Sequence, residues 1–169
     1  ILKSYIDTGK QLTDHQLNLI STNKKMLRTY IRKRVIAVNE TKGILSDKEM
    51  ELVKKYDKKS YDDYITYLTN LKMLSLSNNK LTTLPEWTLN LTNLVRLYLG
   101  NNELTNLEGI SNLTNLEYLD LGKNNLTSLP EAISNLTNLG VLNLANNELT
   151  SIPEGISNLT NLTWLYLSS

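Results

Sequence analysis

The chain has 169 residues, 40% of them hydrophobic, and a formal net charge of +1. That length allows one compact domain or one modest repeat array. With no Cys and a single His it offers no disulfide, no thiol nucleophile and no Cys/His metal cluster, and no run of about 18 apolar residues provides a transmembrane span. The charge is unevenly placed: residues 1–66 hold 14 Lys/Arg against 9 Asp/Glu, and residues 67–169 hold 4 against 8. Two structural regions are therefore expected, 1–66 and 67–169.

Residues 1–66 predict short alternating helices. Leu12-Thr13-Asp14-His15-Gln16-Leu17 matches Leu45-Ser46-Asp47-Lys48-Glu49-Met50 at an offset of 33. Each segment carries a capping box, Thr13 with Gln16 and Ser46 with Glu49, and a hydrophobic staple, Leu12 to Leu17 and Leu45 to Met50. Helices are expected near 1–8, 13–22, 24–36, 46–56 and 59–66, packed as antiparallel pairs. In pairing and spacing the region resembles HEAT-like helical repeats. The helix 24–34 is basic: Lys25, Arg28 and Arg32 share one face, opposite Leu27, Ile31 and Val38. Such a face suits nucleic acid or an anionic membrane, but it carries no interleaved aromatic to stack on bases. A solvated face is the preferred reading. His15 reads as a solvated residue at a helix start.

From Leu71 onward one pattern recurs. Leu71-x-x-Leu74-x-Leu76-x-x-Asn79-x-Leu81 returns at Leu94, Leu116 and Leu139, and a partial fifth copy starts at Leu162. The copies begin 23, 22, 23 and 23 residues apart. This resembles the leucine-rich repeat signature. The second copy, shorter and reading Leu107-Glu108-Gly109-Ile110, is similar to the internalin-like 22-residue class; the others are similar to the typical 23-residue class. The resemblance implies an α/β solenoid: a right-handed coil with a short parallel sheet on its concave side. The expected fold is that coil, capped N-terminally by the antiparallel helical pairs.

The residues support the same reading independently. Leu74-x-Leu76 alternates apolar and polar as a half-buried strand does. Leu84-Pro85-Glu86, Leu129-Pro130-Glu131 and Ile152-Pro153-Glu154 predict an extended segment and then a turn or short 3-10 helix. Asn79, Asn102, Asn124 and Asn147 are expected to stack as an interior ladder that satisfies backbone groups at the turn off each strand. The Asn-Leu-Thr triplets at 90, 112, 125, 135, 158 and 161 are formal glycosylation acceptors. They read better as products of the repeat, since each Leu is a core position.

Ile65-Thr66-Tyr67-Leu68-Thr69-Asn70-Leu71 aligns with Ile110-Ser111-Asn112-Leu113-Thr114-Asn115-Leu116. The last helix is therefore expected to run into the first leucine-rich coil without a linker, covering its open end as one continuous body. The chain lacks a starting Met, so further helical pairs are expected before it. Further coils or another cap are expected after Leu167. Both cytoplasm and a bacterial surface stay open as locations.

No catalytic constellation is present, and no enzymatic activity, metal, cofactor or small-molecule substrate is expected. The candidate site is the outer face of the predicted strands. One column reads Met73, Arg96, Tyr118, Val141, Trp164; the next reads Ser75, Tyr98, Asp120, Asn143, Tyr166. A third is small: Ser77, Gly100, Gly122, Ala145, Ser168. Tyr, Trp and Arg dominate interface energies, and the small column would let a partner approach the backbone. A protein-binding module is the leading expectation. The alternatives are a structural spacer within a longer repeat protein, or a nucleic-acid or membrane contact through 24–34.

Overall fold

The computed structural model describes residues 58–168 and, before them, 12–13, 15–16, 23, 25–27, 29–30, 50–51 and 54–55. The chain divides into two compact units, Ile1–Leu68 and Thr69–Ser169.

In the first unit the described residues around Thr13 form the predicted capping box. The Thr13 amide donates to Gln16 Oε1 at 2.9 Å, and the Gln16 amide donates to Thr13 Oγ1 at 3.3 Å. His15 and Gln16 are helical and His15 is exposed. A second helix start lies at Asn23, whose Oδ1 accepts from the Met26 amide at 3.1 Å; an Asn at this position satisfies an N–H that the first helical turn leaves without a partner. Leu27 and Tyr30 are buried behind it, and the Tyr30 hydroxyl accepts from the Leu12 amide at 3.1 Å. The Ser46–Glu49 box and the expected helix 1–8 lie outside the described residues. The last helix spans Lys58–Thr69 rather than 59–66, with Tyr64 and Leu68 buried. Residues 65–67 of this α-helix align in sequence with Ile110–Asn112, a 3-10 helix. No Pro or Gly interrupts 58–69, whereas Gly109 at φ 78° resets the chain before Ile110.

The second unit is a stack of coils. Each contributes one short strand: β1 Met73–Ser75, β2 Arg96–Tyr98, β3 Tyr118–Asp120, β4 Val141–Asn143 and β5 Trp164–Tyr166. They form one parallel sheet in chain order, with Leu74, Leu97, Leu119, Leu142 and Leu165 in register. Side chains alternate across a strand, so these leucines point inward as a column. Leu97, Leu119 and Leu142 are wholly buried, and the following leucines at 99, 121 and 144 are at most 1% exposed. Burying each such side chain favours folding by roughly 1.5–3 kcal/mol. In the last coil the equivalent Leu165 and Leu167 are 39% and 49% exposed.

The chain leaves β1 to β4 through a left-handed residue. Asn78, Asn101, Lys123 and Asn146 all have φ between 57° and 63°. Asn tolerates that conformation because its short amide bonds locally; Lys does so at a cost. Next comes the interior asparagine. Asn102 Oδ1 accepts from the amides of Asn79 and Leu81, and its Nδ2 donates to Leu76 O and Leu99 O. Asn124 accepts from the Leu104 amide and donates to Leu99 O and Leu121 O. Asn147 accepts from the Leu126 amide and donates to Leu121 O and Leu144 O. Each side chain thus ties its own coil to the one before. Asn79 differs: it is exposed, and its Nδ2 donates within its own coil to Ser77 O. No leucine-rich copy precedes it in the sequence.

On the far side of each coil, Pro85, Pro130 and Pro153 are extended and cap 3-10 helices at Glu86–Asn90, Glu131–Asn135 and Glu154–Asn158. The shorter second copy carries a three-residue 3-10 helix behind Gly109. A second asparagine series closes the coil at the opposite corner. Asn93, Asn115, Asn138 and Asn161 donate from Nδ2 to the carbonyls of Thr69, Thr92, Thr114 and Thr137, at 2.7–2.9 Å.

Candidate functional site

Strand register places the candidate residues in two columns on the outer face of the sheet. Met73, Arg96, Tyr118, Val141 and Trp164 are successive partners, as are Ser75, Tyr98, Asp120, Asn143 and Tyr166. Met73 is 52% exposed, Trp164 59% and Tyr166 47%. Arg96 is exposed; Ser75, Tyr98, Tyr118, Asp120, Val141 and Asn143 are half-buried.

The aromatic side chains gather in two pairs. The rings of Tyr98 and Tyr118, on adjacent strands, lie 5.0 Å apart and tilted by 38°. Trp164 and Tyr166, on one strand, lie 6.4 Å apart and nearly parallel at 10°. These separations fall in the range where aromatic pairs attract beyond simple burial. Between the pairs stands an open cavity of about 340 Å³ lined by Tyr118, Val141, Asn143, Trp164 and Tyr166. The short Val141 explains the space: register places it between Tyr118 and Trp164.

Asp120 and Asn143 bond to the scaffold, and Asn143 also lines the aromatic cavity. Asp120 Oδ1 accepts from the Gly122 amide at 3.0 Å and from Asn143 Nδ2 at 2.8 Å. Asn143 Oδ1 accepts from the Ala145 amide at 3.0 Å. Both side chains close turns on their own backbone, as Asp and Asn characteristically do. Their positions also account for the small third column. A Cβ on Gly100 would lie 3.0 Å from Asp120 Oδ2, and one on Gly122 would lie 2.9 Å from Asn143 Nδ2. The glycines thus accommodate Asp120 and Asn143, and an open cavity of about 310 Å³ remains over the small column, lined among others by Ser77, Gly100, Gly122 and Ala145.

The Tyr118 hydroxyl has a pKa raised above its ordinary value of 10.0, first by burial, then by the charge of Asp120 and the nearby Tyr98 and Tyr166. It is neutral at physiological pH, a hydrogen-bond donor and acceptor at the cavity wall. Among the described residues no group of three or more His, Cys, Asp or Glu is placed to hold a metal, and no helix is long and apolar enough to cross a membrane. Of the basic run, Lys25 is helical and exposed and Leu27 is buried; Arg28 and Arg32 lie outside the described residues.

The asparagines at 93, 115, 138 and 161, with their coil-to-coil bonds, were not among the residues singled out from sequence. Their signal is the recurring Thr-Asn-Leu triplet at each copy's start. The left-handed column 78, 101, 123, 146 was also not singled out, because Lys123 breaks its pattern.

Two family models cover the repeat unit. One, described as leucine-rich repeats in two copies, matches residues 69–113; the other, a leucine-rich repeat region, matches residues 100–169. Residues 69–169 are a leucine-rich repeat array. Among solved structures, a leucine-rich repeat protein of Leptospira interrogans is similar, at 35% identity and a TM-score of 0.50. The match covers 64% of this chain and 34% of that one, so this chain spans about a third of that protein's length. No curated protein matches. Leucine-rich repeat domains generally mediate protein–protein interaction and are typically non-enzymatic, and the parallel five-stranded sheet fits their solenoid fold.

Proposed function

We propose that the array is a non-catalytic protein-binding module that takes its partner on the outer, concave sheet face. One observation carries this: Tyr118, paired with Tyr98, and the Trp164–Tyr166 pair line one open cavity on the outer face of the sheet. Tyr and Trp are enriched among the residues that dominate binding energy, and they bury large area with little loss of side-chain freedom. Met73 and Arg96 extend the surface across β1 and β2.

Affinity capture tests this reading. With the full chain as bait, the double change Tyr98→Ser and Tyr118→Ser abolishes capture of the partner while leaving the thermal midpoint within a few degrees. Undiminished capture refutes the concave reading. If capture is lost instead on charge reversal at Arg28 and Arg32, the contact runs through the basic helix. If neither change matters, the array is a spacer.

Two finer readings rest on sequence. The cap role of residues 1–66 rests on the aligned segments Ile65–Leu71 and Ile110–Leu116. The assignment of one internalin-like copy among typical ones rests on its length and its Gly109.

A further inference from the structure

We draw no further inference here: the strongest candidate, the exposed apolar edge that β5 presents at Trp164, Leu165, Tyr166 and Leu167, carries none because nothing in the structure shows what covers it.

Discussion

Asn124 offers the sharpest test of how the array is held together. It is 5% exposed and makes two bonds to the preceding coil, from the Leu104 amide and to Leu99 O, and one within its own, to Leu121 O. Replacement by Leu removes all three, but the losses are unequal. Leu99 O is also bonded by Asn102 Nδ2, and Leu121 O by Asn147 Nδ2, so each carbonyl keeps a partner. The Leu104 amide keeps none of its side-chain acceptor and is stranded in the core beside Leu104, itself fully buried. An orphaned buried donor costs about 1–3 kcal/mol, and each of the two other bonds adds about 0.5 kcal/mol or more. Asn124→Leu is therefore expected to destabilise by roughly 2–4 kcal/mol. Asn79→Leu removes only an exposed bond within its own coil and is expected to stay within about 0.5 kcal/mol. Urea melts followed by circular dichroism measure both changes. Hydrogen exchange at the Leu104 amide localises the first, since that N–H should lose protection before its neighbours. If the two variants melt alike, the interior asparagines are not what joins the coils.

Four further outcomes follow from the geometry. Gly109→Ala forces a Cβ onto a residue at φ 78° and to within 2.5 Å of Leu89 Cδ1, and should cost about 1–3 kcal/mol in a urea melt. Lys123→Gly relieves a left-handed side-chain conformation at φ 57° and should raise stability by a few tenths to ~1 kcal/mol; a loss would show that the lysine side chain stabilises the turn. Gly122→Ala displaces the Asn143 amide and should cost ~1–2 kcal/mol. Most of that should vanish in an Asn143→Ala background, and additivity in the cycle would refute the coupling. Tyr118, whose folded pKa is raised, favours the folded state fully below its ordinary value of 10.0 and loses that contribution as pH rises through the folded value. Ultraviolet titration of Asp120→Asn should show the Tyr118 pKa lowered toward 10, because one source of its elevation is gone; an unchanged value would sink the assignment.

The spacing of leucines made the array legible because the repeat imposes its own test: a residue is inward or outward in every coil at once. The Leu74 register, the 3-10 turns after Pro85, Pro130 and Pro153, and the outward placement of Tyr98, Tyr118, Trp164 and Tyr166 all come from that periodicity. What sequence could not supply was direction within a face. Asp120 and Asn143 were placed beside the aromatics, yet their side chains fold back over Gly122 and the adjacent glycine because a local amide is their nearest donor. The small column therefore serves the scaffold at Gly100 and Gly122 while an open cavity remains above it. The outer asparagines at 93, 115, 138 and 161 were passed over for a different reason: exposed polar residues carry no hydropathy signal, and only their bonds to the preceding coil reveal the role.

The two asparagine series divide the work of stacking. The interior one replaces water for backbone groups that cannot reach any, so its loss is costly at a single position. The outer one, at solvent-exposed corners, competes with water for each bond and contributes little singly, but its four members add a second tie between successive coils. The binding face inherits its geometry from both. Asp120 reaches Asn143 only if β3 and β4 keep their register, and Tyr98 meets Tyr118 only if β2 and β3 do. Residues that carry selectivity on this face are thus coupled across coils to the scaffold. A change of specificity in one coil requires a matching change in the next, and a graft of single residues onto another array would lose the slot that Val141 opens between its neighbours.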